Sequence, residues 1–110
     1  MEEFVKGDVV VLPFPFSDLS NSKKRPALVV AKLKSDDIIL CQITSQNRID
    51  DYSIILANDD FKQGSLNLTS LIRANKIFTT DKSLILYKIG TLKENKIKEV
   101  EAALIKIFKE

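Results

Sequence analysis

Histidine is absent from the 110 residues, and no other feature removes as much chemistry. A Ser-His-Asp triad, a Cys-His dyad, a histidine proton shuttle and a His-ligated zinc-hydroxide site all depend on the imidazole ring. Cys41 is the one cysteine, so an internal disulfide is impossible and a thiolate zinc site lacks its ligands. It reads as a buried strand residue with no chemistry of its own. Glycine and proline are scarce, at 3 each, beside 45% apolar and 29% charged residues, which is the make-up of a folded globule and not of a disordered or fibrous chain. Long apolar runs are lacking too. The longest, Val9 to Phe16, contains two prolines and falls far short of the roughly 20 residues a membrane-spanning helix needs, so no membrane partner is expected. The opening Met-Glu-Glu-Phe-Val-Lys has neither the basic start nor the apolar stretch of an export signal, and a cytoplasmic location is expected. A net charge of +2 is compatible with a nucleic-acid partner without demanding one. Chemistry is left to Arg, Lys, Ser, Thr, Tyr and the carboxylates.

What is present reads as a run of strands followed by one helix. No repeat, linker or low-complexity tract appears, so residues 1–110 are expected to form one domain around one core. Gly7 to Phe16 is a strand that leaves its sheet at Pro13 and Pro15. The polar stretch Ser17 to Lys24 predicts an exposed loop, and Ala27 to Ala31, after Arg25-Pro26, predicts a central strand buried on both faces. Ser35 to Asp37 is a turn and Ile38 to Ile43 a third strand, giving a hairpin. Further strands are expected at Tyr52 to Leu56, Leu66 to Phe78 and Leu84 to Ile89, with a polar loop from Asn58 to Gly64 and a turn at Asp81 to Ser83. Thr91-Leu92-Lys93-Glu94 has capping-box spacing, so the helix is expected to start at Thr91. Ile97, Val100, Leu104 and Ile107 form its apolar stripe, and Lys96 is expected mostly off it. The order implies a compact β-barrel or strongly bent sheet with a helix across it.

The segment Gly7-Asp8-Val9-Val10-Val11-Leu12-Pro13-Phe14-Pro15-Phe16-Ser17-Asp18-Leu19, continued by Lys24-Arg25-Pro26-Ala27-Leu28-Val29-Val30, resembles the MazF/PemK family of toxin endoribonucleases. Ile43-Thr44-Ser45, Leu71 to Asp81 and Ile89-Gly90-Thr91-Leu92 with the following helix fall in the family's order, so the resemblance covers nearly the whole chain. It implies a mainly β fold with a C-terminal helix, an SH3-like small barrel as in MazF, PemK and CcdB. It also implies a homodimer that cleaves single-stranded RNA at short sequences, without metal or other cofactor, and is silenced by a cognate antitoxin. The family's chemistry is attack of the ribose 2′-hydroxyl on the adjacent phosphorus, leaving a 2′,3′-cyclic phosphate and a 5′-hydroxyl. Arg25 corresponds to the family's catalytic arginine and Thr44 to its catalytic hydroxyl residue. The aspartate that a subset of relatives carries two residues beyond the later arginine, Arg73, is replaced here by Asn75, and the histidine some relatives carry in the first loop is missing.

The residues themselves support the same pair. In a hairpin of the second and third strands, the start of one lies beside the end of the other, so Arg25 and Thr44 share a rim. A guanidinium offers planar bidentate donors to the charge that builds on a pentavalent phosphorus, and a hydroxyl adds another. Arginine stays protonated in proteins, so Arg25 is assigned to charge stabilisation and the proton acceptor stays open. Lys23 and Lys24 read either as solubilising loop residues or as attractors of RNA, and Arg73 either as a phosphate contact or as the partner of a nearby acid. Ser45 is an understudy for Thr44, while Gln46 and Asn75 are candidates to read base edges. Phe14, Phe16 and Phe78 read as core or dimer contacts in preference to base-stacking platforms. The first loop is expected to act as a lid over the cleft. Two other functions fit the same fold: a protein-directed inhibitor like the gyrase-poisoning CcdB toxins, and a non-catalytic RNA-binding module.

Overall fold

Alternation along the strands decides which side of the sheet each residue takes, and here the central strands are buried on both sides. The computed structural model describes residues 3–14, 23–45 and 49–110. They form β1 (Asp8–Phe14), β2 (Lys23–Lys32), β3 (Asp37–Thr44), β4 (Ser53–Leu56), β5 (Phe61–Gly64), β6 (Ser70–Asp81), β7 (Tyr87–Leu92) and α1 (Glu94–Phe108). All pairings are antiparallel, in one seven-stranded sheet of order β4-β6-β3-β2-β1-β7-β5. Register shifts in four of the ladders, β1/β7, β2/β3, β3/β6 and β5/β7, let the sheet curl into a half-barrel with β4 and β5 as its edges.

Val9, Leu28, Cys41, Ile43, Ile72 and Ala74 point to one side and meet Val100, with Ile97, Leu104 and Ile107 of α1 packed against them. The predicted apolar stripe is thus the face the helix buries. Val10, Leu12, Ala27, Val29 and Leu40 point to the other side, where, among the described residues, Phe4 and Ile85 cover one end. That half-covered side carries the groove described below. No helix among the described residues is long and apolar enough to cross a membrane.

Several expectations need correction. Lys23, Lys24 and Arg25 are strand residues, paired with Phe14, Pro13 and Leu12, because β2 starts at Lys23 and not after Pro26. The stretch from Asn58 to Gly64 is not wholly a loop: after a 3-10 turn at Asn58–Asp60, Phe61 is buried and opens strand β5 against β7. β6 begins at Ser70 and not at Leu66, and β7 at Tyr87 and not at Leu84. Lys82–Leu84 is a 3-10 turn closed by Ser83 N–H donating to Asp81 Oδ1 at 2.8 Å. The capping box at Thr91 does not form. Thr91 lies in β7 opposite Asp8, and its hydroxyl donates to the buried Asp8 carboxylate at 2.9 Å, so α1 starts three residues later, after an N-cap at Lys93 with no side-chain cap. Lys96 is buried, not off the packed face: its ammonium donates to the Ile55 carbonyl of edge strand β4 at 3.0 Å and to Glu99 at 2.9 Å. The predicted first-loop lid and Phe16 lie outside the described residues.

Candidate functional site

The groove on the open side is assembled by register. β1 pairs Leu12 with Arg25, and directly opposed residues of an antiparallel ladder point the same way, so Arg25 shares the side of Leu12. β2 pairs Ala27 with Gln42. Carried two residues further along both strands, that register sets Arg25 across from Thr44, at the point where β3 ends. On the other flank of β3, Gln42 pairs with Arg73 and Thr44 with Leu71. Arg25, Thr44 and Arg73 therefore come from three neighbouring strands to one side of the sheet, and all three line a groove of about 290 Å³.

Lys76 lines the same groove, which its spacing from Arg73 would forbid in a regular strand, where residues three apart face opposite sides. The β3–β6 ladder steps from Cys41–Ile77 to Gln42–Arg73, leaving Ala74, Asn75 and Lys76 outside it. This odd insertion reverses the phase of alternation. Arg73 before it, and Lys76 and Phe78 after it, all reach the groove, while Ala74 and Ile77 stay in the helix-side core. Phe14 and Phe78 form part of the groove wall, with ring centroids 5.4 Å apart and planes tilted by 48°.

A second groove, also about 290 Å³, runs off the rim on the other side and is lined by Lys24, Ser45, Leu66 and Asn67 among others. Arg25 and Thr44 line both grooves and so mark their junction. Of the remaining candidates, Lys23 is exposed beside Phe14 at the start of β2, and Asn75 is exposed on the insertion without lining either groove. Gln46 lies outside the described residues.

Arg73 is not a lone cation. Its Nη2 donates to Asp50 Oδ2 at 2.9 Å, with the arginine side chain only 17% exposed, and its Nε is the buried side-chain polar atom without a hydrogen-bond partner among the described residues. Asp50 sits in the turn leading into β4, where Oδ1 accepts from Tyr52 N–H at 2.9 Å and from the Ser53 hydroxyl at 3.0 Å. Those two donors, with the Arg73 charge adding to them, hold the Asp50 carboxyl below the usual carboxylate range. The acid-partner reading of Arg73 is therefore realised, in a residue that also faces the groove. Among the described residues no cluster of three or more His, Cys, Asp or Glu side chains is arranged to hold a metal ion.

Over residues 5–108 the chain matches the family model of the PemK-like, MazF-like toxin of type II toxin-antitoxin systems. The chain belongs to that family. Among solved structures, MazF (Form-I) from Deinococcus radiodurans superposes with a TM-score of 0.77 at 18% identity, covering 100% of both chains. An endoribonuclease in complex with its cognate antitoxin, from a mycobacterial species, gives a TM-score of 0.77 at 16% identity over 97% of this chain and 96% of its own. The MazE-MazF complex (Form-III) from Deinococcus radiodurans gives 0.77 at 18% over 96% of each. At these identities the structures establish that this PemK/MazF-like chain has the MazF fold, the mainly antiparallel half-barrel with one C-terminal helix expected from the sequence. No curated protein sequence matches the chain.

Within this toxin fold, a groove residue, Lys76, and Asp50, the acid that pairs with Arg73, escaped sequence reasoning. Lys76 was hidden because nothing in Ala74-Asn75-Lys76 announces an insertion. Asp50 was hidden because its role depends on contact with a strand 23 positions away. The Asp50-x-Tyr52-Ser53 turn, with an acid able to bond its own backbone two residues on, is the signal that was available.

Proposed function

We propose that this toxin is an endoribonuclease that cleaves single-stranded RNA at the junction marked by Arg25 and Thr44. The observation that carries the reading is the meeting of those two side chains in one groove with Arg73 and Lys76. The fold neighbours named as endoribonucleases support it.

In this reaction the ribose 2′-hydroxyl loses its proton as its oxygen bonds to phosphorus. The bond from phosphorus to the 5′-oxygen breaks, and that oxygen leaves with a proton, giving a 2′,3′-cyclic phosphate and a 5′-hydroxyl. Negative charge grows on the non-bridging oxygens on the way. The Arg25 guanidinium meets it with two planar donors and the Thr44 hydroxyl with a third; loss of one such preorganised donor typically costs on the order of 3 kcal/mol, about a hundredfold in rate. No step is assigned to a metal or cofactor. Arg73, Lys23 and Lys24 draw the phosphodiester backbone into the two grooves, an attraction that weakens with salt. Ser45 supplies a second hydroxyl beside Thr44, and Asn75 and Gln46 offer amides to base edges. The toxin acts on messenger RNA in the cytoplasm as a homodimer. Its antitoxin carries an acidic segment that folds into the same grooves and competes with RNA for the cations.

Incubation with a long RNA in EDTA, followed by mapping of the cut ends, tests the reading. Wild type is expected to leave 2′,3′-cyclic phosphate and 5′-hydroxyl ends at a short recurring sequence. Arg25→Ala should cut about a hundredfold more slowly, and Lys98→Ala, on the exposed face of α1, should cut like wild type. RNA that stays intact overturns the proposal: intact but bound RNA would indicate a binding module, and absence of binding a protein target of the CcdB kind.

A further inference from the structure

We propose that Gln42 fixes the identity of one base beside the cleaved linkage, its side-chain amide pairing with the hydrogen-bonding edge of that base. The inference rests on the endoribonuclease reading above and deepens it by naming a residue that gives the cut its sequence.

Strand register decides where Gln42 points. Cys41 and Ile43 lie in the helix-side core, so the alternating residues Leu40, Gln42 and Thr44 of β3 face the open side. Leu40 is fully buried there, whereas Gln42 and Thr44 are partly exposed and line the groove. The β2 ladder agrees, since Ala27, opposite Gln42, belongs to the same open-side cluster. On the other flank Gln42 is opposite Arg73, at the step where Ala74, Asn75 and Lys76 leave the ladder. An amide thus stands where the apolar face of β3 ends, in a groove shared with Arg73 and Lys76. Gln42 lies two positions from Thr44, about 7 Å along the strand, which is the scale of one nucleotide. It lines the first groove but not the second, so it meets the base on one side of a linkage held at the Arg25–Thr44 junction.

Hydrogen-bonding capacity singles out the same residue. Arg25, Arg73 and Lys76 can only donate, which suits phosphate oxygens and every base acceptor alike. Telling one base from another needs an acceptor as well, and among the described side chains of this groove the Gln42 amide and the Thr44 hydroxyl are the ones that have it. Thr44 is committed to the linkage. The amide presents a donor and an acceptor side by side, the pattern with which glutamine recognises a base edge, and an unpaired strand leaves that edge open. Among the described residues no hydrogen bond engages the Gln42 amide. At a half-buried position, a mismatched base leaves the amide without a partner, and that penalty discriminates. A groove of about 290 Å³ is at the small end of ligand sites and takes one base.

The test is cleavage, in EDTA, of an RNA pool randomised over a short window, with the ends sequenced. Base frequencies around the cut give relative rates within one reaction, so differences in overall activity cancel. Wild type should show a preference of about tenfold or more at a position next to the cut. Gln42→Met, which keeps length and volume but loses donor and acceptor, should lower that preference about tenfold and leave the other positions unchanged. Gln42→Glu keeps acceptors and loses the donor. It should raise the guanine-to-adenine ratio at the same position, because guanine offers two neighbouring donors and adenine a donor beside an acceptor. Thermal unfolding of Gln42→Met near the wild-type midpoint shows that the fold is kept; if it is not, Gln42→Glu is read in its place. Unchanged preferences at both positions flanking the cut overturn the assignment and leave the nuclease reading standing. An even loss at all positions, or slower cutting with the pattern intact, overturns it as well, since Gln42 would then only shape the groove. Wild type that cuts without preference at either flanking position overturns the assignment alone, and wild type that leaves the RNA intact overturns it together with the nuclease reading.

Discussion

Asp50→Asn is the substitution that most directly asks what Arg73 does. The two groups are 2.9 Å apart, and the carboxylate is at the same time fixed by Tyr52 N–H and the Ser53 hydroxyl through its other oxygen. An asparagine amide keeps an oxygen for those two donors, so the turn into β4 survives. It places an NH₂ group where Oδ2 accepted from Arg73, donor against donor, and removes the negative charge. Arg73 then faces the groove without that counter-charge, and its Nε has no hydrogen-bond partner among the described residues. Each phosphate neutralised on a single strand contributes about 0.7 to the slope of log affinity against log salt. One more contact should therefore steepen the slope by about 0.7, tighten binding at low salt, and add a further loss of about threefold between 50 and 200 mM salt. Anisotropy titrations of a 2′-deoxy oligonucleotide at four salt concentrations measure this directly. An unchanged slope with unchanged affinity refutes the reasoning, because it means that Arg73 meets no phosphate even when its partner's charge is gone.

Asp8 is 1% exposed and accepts from Val5 N–H and the Thr91 hydroxyl, both at 2.9 Å; Asp8→Ala strands two donors and should cost about 2 to 5 kcal/mol, lowering the urea midpoint by about 1 M or more, whereas Asp8→Asn should cost less. Gly90→Ala brings a Cβ to 2.2 Å from the Gln63 carbonyl oxygen and 2.9 Å from Gly64 Cα, contacts with backbone that cannot swing away. It should detach β5 from β7, seen as early amide exchange over Phe61–Gly64. The Tyr52 hydroxyl donates to the Glu110 carboxylate, which raises the phenol above its ordinary value; the stability this adds is present below the normal tyrosine range, about pH 10, and is lost as pH rises through the raised value. Ultraviolet titration should show Tyr52 ionising at lower pH in Glu110→Gln than in wild type. Burial pushes the Cys41 thiol up to about 12, so a thiol reagent at pH 8 should label it only after unfolding.

Most of the strands were legible because their apolar runs are continuous. A strand covered on both faces has no polar positions to spare, and Val9-Val10-Val11-Leu12 and Ala27-Leu28-Val29-Val30 show that directly. The short turn between Lys32 and Asp37 leaves β2 and β3 little choice but to pair, which is why Arg25 and Thr44 meet at one rim whatever else the chain does. The helix was legible in its stripe of Ile97, Val100, Leu104 and Ile107. Its start was not: Thr91 satisfies both a capping box and a strand, and the buried Asp8, remote in sequence, is what claims the hydroxyl.

The remainder of the site had no local signature. Whether Lys76 points into the groove or away from it depends on a count of residues between two ladder pairs. Nothing in a single strand records that count, because register is a property of two strands at once. The Asp50–Arg73 pair and the meeting of Phe14 with Phe78 have the same origin, since each joins segments that touch only after the sheet has curled. Hydrophobic pattern and turn length act between near neighbours and are written along the chain. Phase, pairing and the shape of a groove arise between distant segments, where packing chooses among registers that the local sequence leaves equally open.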